Sequence, residues 1–279
     1  MDSQEHPDGQ EHADNQEHAV SQEQPDSRRA GPDGAAVLAE DFGLKGARGW
    51  AFRHVRVDAA PGTVVVIEGP SGSGRTCLLL ALTGRMRPTE GRAEIAGLPL
   101  PRAMAAVRRI SGLGPVPGVS DLDPALTVAE HLRERALLRR RFGGSPRALL
   151  RPRAQRAAEA RGRIDAALTA AGLDTAALPK GERTSVRDLE RLEALRLSVA
   201  LALIGGPRLL AVDDLDLKLS DADRAAAWRL LRSVAEAGTT VLAVCGQAPE
   251  AADAGTDMVI IRTDNEEGTA DALAETGRA

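Results

Sequence analysis

Apolar residues along this chain fall into two kinds of run. Thr63-Val-Val-Val-Ile67 is continuous, β-branched and of strand length, and shorter apolar runs recur at Leu209 to Val212, Thr240 to Val244 and Met258 to Ile261. Runs of this kind suit strands buried on both faces. The stretch from Thr76 to Thr83 reads as a helix, with Gly84 placed to cap it. Helical stretches precede the strands at 209 and 240, so the order of elements predicts a parallel α/β sheet. Between 128 and 204 the pattern is helical almost throughout.

The first 34 residues follow neither pattern. Gln-Glu-His recurs at 4 to 6, 10 to 12 and 16 to 18, followed by Gln-Glu-Gln at 22 to 24, among Pro, Asp, Gly and Ser. Such a segment has too little apolar surface to bury, so residues 1–34 are expected to be a disordered acidic tail, with one domain over 35–279. His6, His12 and His18 step by six residues, which scatters them around a helix and argues against a metal tract. The tail holds nine acidic and two basic residues, so the net charge of −4 conceals a domain of +3.

The longest uncharged apolar stretch, Leu197 to Pro207, is about half the ~20 residues of a spanning helix, and no signal segment opens the chain. A cytoplasmic protein is expected. Two cysteines, Cys77 and Cys245, are too few for a disulfide framework. The arginine-rich stretch from Arg133 to Arg163 contains Phe142 as its only aromatic, and reads as the solvated faces of amphipathic helices rather than a nucleic-acid surface.

Chemistry enters at Gly69-Pro70-Ser71-Gly72-Ser73-Gly74-Arg75-Thr76. This segment fits G-x-x-x-x-G-K-[ST] at every defined position except Arg75. Glycines let successive backbone N–H groups and the following helix N-terminus face an anion, and the Thr76 hydroxyl is suited to a phosphate-bound Mg²⁺. Arg75 keeps the charge but replaces a compact ammonium with a longer planar fork. The apolar run ending in Asp213-Asp214 supplies carboxylates suited to holding Mg²⁺ and orienting water.

With these motifs the chain resembles the nucleotide-binding subunits of ABC transporters. Pro88 to Pro99 is similar to the family's strand-and-turn segment after the phosphate-loop helix, and Leu126 to Leu132 to its approach to the helical subdomain. Gly206-Pro207 also fits, as does Gly268 to Leu273, which is similar to the family's C-terminal element. The resemblance covers about residues 36–275. It implies a P-loop α/β core with an antiparallel β edge and a helical subdomain at about 116–195. It further implies adenine stacking by Phe42, a residue that equally reads as a core aromatic of the first strand, phosphate binding by Gly69 through Thr76, Mg²⁺ contact by Thr76 and Asp213, and a catalytic carboxylate at Asp214.

Several family positions are altered. The signature motif falls on Leu189-Glu190-Arg191-Leu192-Glu193, the Q-loop glutamine near Pro115, the switch histidine on Gly246 and the D-loop aspartate on Ser220. Glu190 adds negative charge and Leu192 adds bulk where small residues should meet a phosphate. The resemblance therefore implies an ATP- and Mg²⁺-binding subunit with weak or no hydrolysis of its own. Its implied partners are an integral membrane permease at the inner face of the membrane and a second cassette in a dimer. The alternative is a non-hydrolysing, nucleotide-dependent scaffold or regulator.

Overall fold

The computed structural model describes residues 34–47, 49–142, 152–216, 218–249 and 258–263. The tail before Gly34 and the Gly268 to Leu273 element lie outside them. Strands β1 (Val37–Gly46) and β2 (Gly49–Ala59) come first, and β3 (Val64–Glu68) leads through the glycine loop into helix α1 (Arg75–Leu82). Next come β4 (Glu90–Ile95), β5 (Leu98–Leu100), α2 (Met104–Ile110) and β6 (Ser111–Leu113). The helical part contains α3 (Val128–Phe142), α4 (Arg153–Ala170) and α5 (Arg191–Ile204). Strand β7 (Leu209–Val212), α6 (Asp221–Glu236), β8 (Thr240–Cys245) and β9 (Met258–Arg262) follow.

These strands form an antiparallel sheet in the order β2-β1-β4-β5 and a parallel sheet in the order β6-β7-β8-β3-β9. The β-branched run of β3 alternates between two cores. Val65 and Ile67 join Leu209, Ala211, Leu242 and Val244 on one face, while Val64 and Val66 join Leu210, Val212, Val241 and Ala243 on the other. The first core also contains Leu78, Leu79 and Leu82 of α1 and Phe42, Phe52 and Ile95 of the antiparallel sheet. Helix α1 is thus held by apolar contact with both sheets. Each buried Leu or Val contributes about 1.5–3 kcal/mol relative to exposure.

Gly84 ends α1 as expected. At φ 70° it lets its own N–H bond to Ala81 O at 3.0 Å and the Arg85 N–H to Leu80 O at 2.8 Å, satisfying carbonyls of the last turn. The helical expectation across 128–204 fails between α4 and α5, where residues 171–190 form turns with two 3₁₀ segments, Gly181–Arg183 and Val186–Asp188. Gly172 and Gly181 take φ 63° and 58°, and Pro179 has no N–H, so a helical ladder cannot run through them. Parallel pairing brings the C-terminal ends of β7, β8, β3 and β9 to one sheet edge, the usual place for a ligand in such a sheet.

Candidate phosphate and metal site

The segment between β3 and α1 is held from two sides. A side chain at Gly69 would meet Thr263 O and Oγ1 at 2.5 Å, and the buried Ser73 hydroxyl sits 2.7 Å from Thr263 Oγ1. Thr263 is itself tied to β3, through its N–H to Glu68 O at 2.9 Å. At the other end, a Cβ on Gly74 would lie 1.7 Å from the Ala51 carbonyl oxygen of β2. Only glycine permits that approach at φ 80°. A Cβ added to Gly72, at φ 85°, would meet no atom of the described residues within 4 Å. The first turn of α1 contains no acidic residue, leaving its positive end free to meet an anion.

Thr76 and Asp213 meet across the sheet edge. The Thr76 hydroxyl donates to Asp213 Oδ2 at 2.7 Å, and the Asp214 N–H donates to Asp213 Oδ1 at 2.9 Å. Asp213 is 3% exposed. Burial pushes its carboxyl above the ordinary value of 3.8; Asp214 adds to the rise, while the Thr76 hydroxyl, the Asp214 amide and Arg75 act against it. A buried carboxylate beside a hydroxyl is a hard-oxygen donor pair, and it fits Mg²⁺, which takes few protein ligands and relies on phosphates and water for the rest. Asp214 stands at φ 48°, a left-handed position, on the turn leaving β7. Cys245 at the end of β8 is buried and its thiol is pushed up to about 12 by that burial, with Asp216 and Glu68 adding to the rise, so it stays protonated.

The sequence pattern that defines ABC transporters matches residues 52–215, more than half of the chain. The chain belongs to the ABC transporter family. It is 34% identical over 195 residues to Nod factor export ATP-binding protein I of Cupriavidus metallidurans, covering 68% of this chain and 57% of that protein. Daunorubicin resistance ATP-binding protein DrrA3 of Streptomyces coeruleorubidus is 34% identical over 225 residues, covering 78% of this chain and 63% of that one. The chain thus spans a little over half the length of the curated relatives it matches. Among solved structures, cbiO1 from Clostridium perfringens aligns with a TM-score of 0.63 at 19% identity, covering 86% of this chain and 91% of that one. The dimeric bacterial ABC transporter cassette MJ0796 aligns with a TM-score of 0.61 at 20% identity, covering 81% and 94%. These two likenesses establish the ABC cassette fold.

Within that fold the altered ABC positions have definite local roles. Pro115 lies beside Asp213, its carbonyl accepting the Asp213 N–H at 2.9 Å. Gly246 follows β8, and its N–H donates to Asp216 Oδ2 at 2.8 Å. Ser220 caps α6, accepting the Asp223 N–H at 3.2 Å. Glu190 is the N-cap of α5 and forms a reciprocal capping box with Glu193, whose carboxylate accepts the Glu190 N–H at 2.8 Å. Two carboxylates therefore occupy the N-terminal end of α5.

Of the two readings of Phe42, the structure shows the core aromatic. Its ring is fully buried, 5.7 Å from that of Phe52, and has no face open to a base. A bulge at Glu40–Asp41, with Asp41 at φ 49°, shifts the pairing of β1 and turns Phe42 inward. Sequence reasoning passed over Trp50, which precedes the Ala51 that packs on Gly74 and is part-exposed with the Lys45 ammonium 5.4 Å from its ring centroid. No sequence signal marked it, since a spacing of two from the buried Phe52 places both residues on one face of β2. Glu68 was also passed over. It ties three strand ends, accepting from Ala248 N at 3.1 Å and Arg262 Nε at 3.2 Å.

Proposed function

We propose that this chain is the ATP-binding subunit of an ABC-type transporter, binding Mg-ATP through Gly69–Thr76 with weak or no hydrolysis of its own. The observation that carries the reading is the 2.7 Å contact between Thr76 and Asp213, formed where the phosphate loop meets the end of β7. Loop and helix α1 offer backbone N–H groups to the phosphates, and Arg75 adds a positive charge. Thr76 and Asp213 would hold Mg²⁺, which when bound neutralises phosphate charge. Asp214 stands in the adjoining position for orienting water. Trp50, rather than Phe42, supplies the aromatic surface for the base.

Nucleotide-dependent pairing with a second cassette and attachment to an integral membrane permease complete the reading. Two relatives are named as export and resistance ATP-binding proteins, and one structural neighbour is named as part of a transporter complex. No helix among the described residues is long and apolar enough to cross a membrane. The chain would then lie on the cytoplasmic face. Calorimetry with Mg-ATP tests the site. The unmodified protein should release or absorb heat saturably, and Thr76→Val should weaken binding only when Mg²⁺ is present. No heat from the unmodified protein at millimolar Mg-ATP, or no effect of Thr76→Val, would defeat the reading.

The capping of α5 by Glu190 and Glu193 favours a second reading, a non-hydrolysing scaffold or regulator that uses nucleotide only to change its partners. Phosphate release at saturating Mg-ATP with the permease present separates the two.

A further inference from the structure

Helices α3 and α4 both pack on α5, yet their facing sides leave a cavity of about 570 Å³ between them. Ala136, Ala157 and Ala160 line it where larger side chains would have closed the gap, and Leu132 and Ile164 supply an apolar wall. The charged lining is nearly all of one sign. Arg133, Arg153, Arg156 and Arg161 border the space, and Glu182 is the one carboxylate among its lining residues. Glu182 is already held by Arg161 at 3.2 Å, and Arg161 also meets Asp165 at 3.2 Å. Glu130 lies near Arg133, but its carboxylate is bonded to Thr127. Among the described residues the side chains of Arg133, Arg153 and Arg156 make no hydrogen bond or ion pair, and Arg156 Nε is buried without a partner.

We propose that this cavity binds a small organic carboxylate with an apolar body, its carboxylate between Arg153 and Arg156 and its body running toward Leu132 and Ile164. The volume is that of a small-molecule pocket. Charge decides which end takes the head. At the Ile164 end Arg161 and Glu182 neutralise each other, whereas at the start of α4 two guanidiniums one helical turn apart face the space without a counter-charge. Arg156 and Ile164 are separated by about 12 Å along α4 at 1.5 Å per residue, so head and body occupy different parts of the cavity. A carboxylate accepts paired N–H donors from a guanidinium, and turning Arg156 onto it would give the buried Nε the acceptor it lacks. A singly charged head also suits apolar walls better than a phosphate dianion, whose desolvation costs more. This site is separate from the nucleotide reading, because none of these residues belongs to the Gly69–Thr76 loop or the Asp213 turn.

The test is calorimetric titration of the full chain with octanoate, alongside 1-octanol, which keeps the body without the charge, and acetate, which keeps the charge without the body. Octanoate should bind saturably and raise the melting temperature, as a ligand of the folded state does. The two controls should each bind about tenfold or more weakly, and Mg-ATP should not displace octanoate. Arg156→Gln should weaken octanoate on the order of tenfold while leaving Mg-ATP affinity within about twofold, as expected for loss of one charge-assisted contact. Ala160→Leu fills the cavity without changing its charge and should weaken octanoate as well, which keeps the test open if Arg156→Gln does not fold. No saturable binding of octanoate, equal binding of octanoate and 1-octanol, displacement by Mg-ATP, or octanoate affinity unchanged in both variants overturns the site and leaves the nucleotide reading untouched. Attachment to vesicles of anionic phospholipid that depends on Arg156, without octanoate binding, would assign these arginines to a membrane surface and overturn the pocket equally.

Discussion

The Thr76 hydroxyl donates to Asp213 Oδ2 at 2.7 Å, joining the first turn of α1 to the end of β7. Asp213 is buried, and its carboxyl lies above the ordinary value of 3.8 chiefly because of that burial. A carboxyl whose pKa is raised on folding holds its proton more tightly in the folded than in the unfolded chain. Its stabilising contribution is present below 3.8 and is lost as pH rises from there through Asp213's own higher value. In a pH series of urea unfolding without Mg²⁺, wild-type stability relative to Asp213→Asn should fall across that window. With Mg-ATP present the fall should shrink, because a cation favours the ionised form. A relative stability that rises with pH through this window would contradict the argument.

Phe42 and Trp50 should separate stability from binding. Truncating the fully buried Phe42 to alanine should cost about 3–5 kcal/mol in chemical denaturation. Trp50→Ala should leave stability within about 1 kcal/mol and weaken Mg-ATP binding by about 1–3 kcal/mol, the range of an aromatic stacking contact. The chain has two tryptophans, and Trp228 is 6% exposed within the second core, so a nucleotide-dependent change in emission should vanish in Trp50→Phe. Persistence of the signal in that variant would remove Trp50 from the site.

The parts legible in the sequence were those where one local rule decides the outcome. The β-branched run at β3 faces two cores, so every residue had to be apolar, and no register was needed to read it. The glycine loop was legible because its positive φ values and close approaches at Gly69 and Gly74 admit little else. The two readings of Phe42 could not be separated because the bulge that turns it into the core is fixed by pairing with β2 and β4. The reach of Arg75 to Gly246 was hidden for a related reason, since residues 171 positions apart meet only through the parallel order β8-β3.

Removal of residues 1–33 should leave both the melting temperature and Mg-ATP affinity unchanged. The segment is polar and repetitive, so it brings no apolar surface that either core needs. Differential scanning calorimetry on the truncated protein checks this. A melting temperature lower by more than about 4 °C, the shift expected for roughly 1 kcal/mol in a domain this size, would assign the tail a structural role.

Purified alone, the protein should be at best a very slow ATPase, and correcting single positions should not change that. In the family's head-to-tail arrangement each nucleotide lies between one phosphate loop and the other subunit's signature segment. A homodimer of this chain would present α5 with its N-terminus already capped by Glu190 and Glu193, so both of its sites would lack that phosphate contact. Asp214 is one methylene shorter than a glutamate, and a misplacement of about 1 Å at a reacting centre costs on the order of 10²-fold in rate. Asp214→Glu should therefore raise phosphate release only modestly. Adding Gly246→His should not raise it further, because a Cβ there comes within 3.1 Å of Asp216 Oδ2, the carboxylate that the Gly246 N–H holds. An intact second cassette would act differently, since its signature segment could cover the nucleotide held by Gly69–Thr76 and favour binding there. Steady-state phosphate release across this series is the measurement. Robust turnover by the unmodified protein alone, abolished by Asp213→Ala, would show that other groups supply the missing contacts and that the slow-ATPase reading is wrong.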